Sequence, residues 1–262
     1  MSTILSLRHI LLSCCSSLEA QEGQDKGNLQ CFSDDPHQHK GESAITKCFE
    51  TLEEFKLWDI EAAKYWQSTF EGRRAPTALG EVSSGTTYYD AETACTIILF
   101  RSARLILLMS MIVYYSKMHG IGDGHHGIPA HLTALTESIP GLEQDVAKTI
   151  DDILSGVPFA LGDVDQNGVS SSIPYDGAAA VIIVHAIRLV ATCAYTKIDQ
   201  RQIAMRILSR FNTNIGIRSA VKMEHDDICR SRWAHEQVFL APIASASLGN
   251  AFSPVSFLRL AE

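Results

Sequence analysis

Apolar residues recur at helical spacing over most of this chain. In KCFETLEEFKLWDIEAAKYWQSTF (47–70), Phe49, Leu52, Phe55, Ile60, Ala63 and Trp66 fall mostly three or four apart, which predicts one buried face of an amphipathic helix. Pro76, Gly80, Ser83, Ser84 and Gly85 break that pattern across 71–87. The next stretch, DAETACTIILFRSARLILLMSMIVYYSKM (90–118), has Asp90 placed as an N-cap and is so apolar that it predicts the buried centre of a helical bundle. Its apolar run after Arg104 extends only from Leu105 to Tyr115. A bilayer crossing needs about 20 apolar residues. Arg101 and Arg104 shorten the run, so no membrane span is expected.

Further helices follow. HGIGDGHHGIPAH (119–131) reads as a loop in which Pro129 can open a short helix. In PGLEQDVAKTIDDILSGVPFAL, Leu142, Val146, Ile150, Ile153 and Leu154 form a stripe that Gly156 and Pro158 should end. YDGAAAVIIVHAIRLVATCAY predicts a second apolar helix over 175–195. Asp199 is placed to cap DQRQIAMRILSRFNTNIGIRSAV, where Ile203, Ile207, Phe211 and Ile215 recur every four residues and Arg201, Arg206 and Arg210 lie elsewhere on the cylinder. Residues 19–46 are polar and predict a solvated linker, while 239–262 has no clear period. No alternating strand pattern, repeat or low-complexity run occurs. The expected fold is all-α, an array of roughly seven to eight helices packed by their apolar stripes.

Composition narrows the function. Hydrophobic residues make up 46% and charged residues 20% of 262, enough for a core without staples. A net charge of -8 argues against whole-surface affinity for nucleic acid or anionic lipid. The seven cysteines, Cys14, Cys15, Cys31, Cys48, Cys95, Cys193 and Cys229, contain no C-x-x-C and imply a reducing compartment. A secretory leader needs an unbroken apolar run, and Arg8 and His9 split the one at the start.

Candidate chemistry is sparse. GDVDQNGVSSSIPYD (162–176) begins like an EF-hand: Asp163, Asp165 and Asn167 alternate before Gly168. The bidentate glutamate at the end of such a loop is missing, because Pro174 occupies that position, so an inter-helix turn is expected instead. His119, His125, His126 and His131, with Asp123 among them, are an alternative metal set for a metal-dependent enzyme or small-molecule-binding helical protein. They ride on a glycine-rich stretch rather than a rigid element, and no metal or other cofactor is expected. His185 and Arg188, three apart in an apolar helix, could border an effector groove between helices. No nucleophile elbow, P-loop or dinucleotide fingerprint is present, and Asp151–Asp152 and Asp226–Asp227 are neighbours that diverge on a helix, so no catalysis is expected.

The order of these elements resembles the C-terminal regulatory region of fungal zinc-cluster transcription factors. The resemblance rests on Val157, Pro158, Phe159, Leu161 and Gly162 as a turn, the apolar helix from Gly177, and the closing turn Gly216, Ile217 and Arg218. AKYWQSTF and TIILFRSARLILLMSMI are similar to the family's earlier helices, and the likeness covers residues 48–225. The six-cysteine zinc module that reads DNA in that family is not matched by any cysteine spacing here, which leaves a stand-alone regulatory domain or an upstream exon missing from the gene model. The resemblance implies a transcription-regulatory protein, nuclear or shuttling to the cytoplasm, without direct specific DNA binding. It would act through protein partners of the transcription machinery, a DNA-binding partner or a small-molecule effector, and such factors often govern secondary metabolism. The expected organisation is an N-terminal segment and polar linker over 1–46, a helical regulatory domain over 47–230, and an unassigned tail over 231–262.

Overall fold

A computed structural model of the chain describes residues 2–22, 36–77, 80–121, 130–171, 176–217 and 220. These residues form six helices and one hairpin: α1 (Ser2–Glu22), α2 (Pro36–Tyr65), β1 (Gln67–Thr77), β2 (Gly80–Tyr88), α3 (Ala91–Ile121), α4 (Ala130–Ala160), α5 (Asp176–Thr192) and α6 (Ile198–Thr213). They all belong to one compact unit, Met1–Lys222. The described part is therefore mostly helical.

α3 is the axis of the fold. Asp90 caps it, its Oδ1 accepting from the Thr93 N–H at 2.7 Å. Ile97, Ile98, Leu105, Leu107, Leu108, Met111 and Ile112 are all buried, and they do not share one face, so the helix must be surrounded. α4 packs on it most extensively, and α1, α2 and α5 cover other sides. The stretch Ala91–Met118 is long and apolar enough to cross a membrane, with a mean hydropathy of 1.9 over its 18-residue apolar window, but 78% of that window is buried inside the protein. Those covering elements do here what lipid would do for an isolated span.

Several elements differ from expectation. The N-terminal segment is a helix whose Ile4, Leu7 and Leu11 are buried at helical spacing and which packs on α2 and α3. Residues 36–46, expected as solvated linker, are the start of α2. Gly41 is buried there under Tyr114, whose hydroxyl would lie 2.5 Å from an added Cβ, and Ala44 and Ile45 are core. The polar average of this stretch hid a narrow apolar stripe. That stripe continues through Cys48, Leu52, Phe55 and Ala62, whereas Ile60, Ala63 and Trp66 are exposed. Five residues beyond Phe55 is about 140° around the helix, so Ile60 leaves the buried face.

β1 and β2 form an antiparallel hairpin, Gln67 opposite Tyr88 and Thr77 opposite Gly80, with a register shift between Glu71 and Ala75. It occupies the region read from the sequence only as a break. The strands escaped notice because one turn of register shift and a run of Ser, Thr and Gly erase the period-two alternation.

α4 runs unbroken past Pro140, Gly156 and Pro158, so two expected helices are one. Leu135, Leu142, Val146, Ile150 and Ile153 keep a single buried stripe across Pro140. Packing of that stripe offsets the interior proline, which costs about 3 kcal/mol. Position 156 needs glycine because Tyr88 packs on it: an added Cβ would lie 2.6 Å from the Tyr88 hydroxyl. The helix ends instead at Gly162, with φ of 73°. There the Gly162 N–H donates to Phe159 O at 3.0 Å and the Asp163 N–H to Pro158 O at 2.8 Å, a Schellman cap.

α6 also begins differently. Lys197, not Asp199, is its N-cap residue, and its N–H donates to Gln200 Oε1 at 2.9 Å. Gln200 is buried and its amide reaches Asp151 on α4, which fixes the start of the helix. Ile207 and Phe211 face the core as expected.

Candidate functional site

His119 lies in the last turn of α3 and His131 near the start of α4, while His125, His126 and Asp123 lie outside the described residues. No group of three His, Cys, Asp or Glu among the described residues is placed to hold a metal ion. Cys48 and Cys95 are poor nucleophiles: burial pushes the Cys48 thiol up to about 12 and the Cys95 thiol to about 11. Both stay protonated at neutral pH.

The EF-hand likeness dissolves in the geometry. Asp163 is buried, and its two carboxylate oxygens accept from Arg210 Nη1 at 2.7 Å and Nη2 at 2.9 Å. This bidentate pair holds α6 against the C-terminal turn of α4. Asp165 Oδ1 accepts from the Asn167 and Val169 N–H groups, each at 2.8 Å, an Asx turn completed by Gly168 at φ 71°. Val164 bridges Ser170 across the loop. The first cation position is thus filled by a guanidinium. Arg210, read from the sequence as one of several arginines away from the apolar stripe, is part of the core.

A second ionic cluster sits where α2, α3, α4 and the hairpin meet. Arg104 donates to Asp59 Oδ2 at 3.1 Å and to Asp145 Oδ2 at 3.2 Å. Arg101 donates to the Tyr88 hydroxyl at 3.0 Å, Asp152 O at 3.1 Å and Gln67 Oε1 at 3.1 Å. Arg101 Nε also faces Asp59 Oδ1 at 3.6 Å, within ion-pair range and too long for a hydrogen bond. Burial raises the Tyr88 hydroxyl and the Asp152 carboxyl above their usual ranges, with Arg101 pulling both back. Both guanidinium groups are some 5% exposed, so no substrate reaches them. The cluster is a clamp on three helices and the hairpin. Sequence reading used these arginines only to argue against a membrane span. The signal was there, since arginine in an apolar helix must find acids.

His185 and Arg188 lie on α5. His185 is exposed and Arg188 half-buried. The i−4 and i−3 neighbours of His185 are Val181 and Ile182, 62% and 41% exposed. The opposite side of α5, including Ala180, Ile183, Ile187 and Val190, is buried against α3, α4 and α6. The structure therefore puts His185 on an open apolar face.

No protein-family model matches the chain, and no curated protein or solved structure matches it significantly.

Proposed function

We propose that this chain is a transcription-regulatory protein of the fungal zinc-cluster type that acts through contacts with a protein partner or a small-molecule effector. It works in the nucleus or shuttles to it, in control of a pathway such as secondary metabolism, and is not an enzyme. The reading rests on the resemblance of the helical order, and one structural observation supports it most. The Val157–Gly162 stretch closes α4 in a glycine-capped turn, a loop follows, and apolar α5 and amphipathic α6 succeed it before Gly216, at φ of 79°. This is the order of turns and helices on which the resemblance was drawn.

The proposed working surface is the outward face of α5, where Val181, Ile182 and His185 meet solvent beside Arg188. Exposed apolar side chains clustered on one helix face, rimmed by polar groups, are a common form of contact surface. The test is to delete the gene, follow transcript levels, and locate a tagged full chain. Nuclear signal together with changed transcripts of a defined gene set is expected. A tagged chain that never enters the nucleus, with transcripts unchanged on deletion, would overturn the reading.

A further inference from the structure

We propose that the cleft between the end of α2 and the start of α3 binds a methylated ammonium head group, an organic cation of the choline or trimethyllysine type. The cleft holds about 310 Å³ and opens to solvent. Trp58 and Trp66 line it from α2 and its end, and Asp90, Glu92, Thr96 and Ile97 line it from α3 and its cap. Its volume is at the small end of the range for ligand pockets, about 300–1,000 Å³, which suits a head group rather than a large ligand.

The aromatic side is pre-positioned. The two indole rings are 6.1 Å apart and tilted by 52°. Phe100 stacks on Trp58 at 3.7 Å and itself packs on Phe55 at 4.5 Å, so Trp58 has little freedom left to lose on binding. Trp66 is 44% exposed, and its carbonyl accepts from the Tyr89 N–H at 3.0 Å, which ties it to the start of α3. An indole face exposed beside a second indole attracts a cation through its quadrupole.

Two further lining residues supply negative charge. Asp90 accepts from the Thr93 N–H, and that bond holds its carboxyl below the usual carboxylate range. Glu92 is an exposed carboxylate in the first turn of α3. The positive end of the α3 dipole, equivalent to about half a charge, offsets only part of the two carboxylates. Among the described residues, none that lines the cleft is basic. Aromatic faces and spaced carboxylates suit a methylated ammonium better than a bare metal ion. A metal needs converging oxygen ligands, and one Asp90 oxygen is already engaged by a backbone N–H. A methylated ammonium needs no donated hydrogen bonds and takes diffuse attraction from the rings.

The test titrates the full chain with choline and, separately, with 3,3-dimethylbutanol, its uncharged carbon analogue, following ligand methyl signals by NMR. Millimolar binding of choline is expected, with the uncharged analogue at least about tenfold weaker. Trp66→Leu keeps apolar bulk and removes the indole face; it should weaken choline about tenfold. Glu92→Gln, on an exposed position, should weaken it about threefold with helix content unchanged. Equal binding of the two ligands overturns the proposal, as does undiminished choline binding in both folded variants or no binding at all. A peptide bearing one trimethyllysine gives the source. Binding much tighter than choline, lost without the methyl groups, points to a modified protein; equal binding points to a free small molecule. The proposal stands apart from the transcriptional reading, because its readout is ligand binding by purified protein.

Discussion

Arg210 and the Arg101–Arg104 pair are about equally buried, yet they are neutralised by different designs. Asp163 spends both carboxylate oxygens on Arg210. Arg101 and Arg104 instead distribute their donors over Asp59, Asp145, the Tyr88 hydroxyl, Gln67 and a backbone carbonyl. The first is a two-point lock between α6 and the end of α4. The second ties α2, α3, α4 and the hairpin together. A buried carboxylate committed to one guanidinium is brittle, since removing that cation leaves the acid alone in a low-dielectric interior. Several partners make a buried charge tolerant, since any one loss leaves others in place.

The comparison predicts an ordered set of effects. Arg210→Ala should be the most damaging change, lowering stability by about 3–5 kcal/mol, because Asp163 stays buried without its counter-ion. Denaturant unfolding measures this. Replacing both members with apolar residues, Arg210→Met with Asp163→Leu, should recover most of the loss; failure to recover would mean that the pair stabilises the fold beyond mutual neutralisation. Asp59→Asn should be milder, about 2 kcal/mol. Arg104 keeps Asp145, and Arg101 keeps Tyr88, Gln67 and Asp152 O. A loss as large as that of Arg210→Ala would erase the distinction between the two designs.

Smaller effects sharpen the second site. The folded Asp152 carboxyl is raised above 3.8, first by burial. Its contribution to stability is therefore present below the ordinary aspartate range and lost as pH rises through the raised value. Asp152→Asn should remove that loss. The difference between variant and native stability should grow as pH rises from 3.8 and then level off at neutral pH, which thermal melts across pH can follow. The smallest effect belongs to the loop after α4. Millimolar calcium should leave the melting temperature unchanged, because Arg210 already occupies Asp163. An upward shift that disappears in Asp165→Asn would reinstate the loop as a cation site.

Legibility differed by the range of the interaction concerned. α3 was readable because apolar side chains at nearly every position, interrupted by Arg101 and Arg104, point to a surrounded core helix, and its cap Asp90 is local. The hairpin was not, because its alternation is broken by a register shift. The partners of Arg101, Arg104 and Arg210 were not either. Arg104 is 45 residues from Asp59, and Arg210 is 47 from Asp163. Of the candidate site residues, His185 was placed correctly on an apolar helix, but its exposure depended on which side of α5 the neighbouring helices cover.

The sequence by itself determined the helical character of this protein and the position of its most buried helix, since these follow from spacing, caps and residue type within a few turns. Tertiary structure decided the rest: that Gly156 and two prolines sit inside one long helix, that three arginines belong to the core, and that Trp58 and Trp66 line one cleft with Asp90 and Glu92. Those outcomes depend on which distant side chains meet. Burial then makes a proline tolerable, a glycine necessary and an arginine safe only where its partner has arrived.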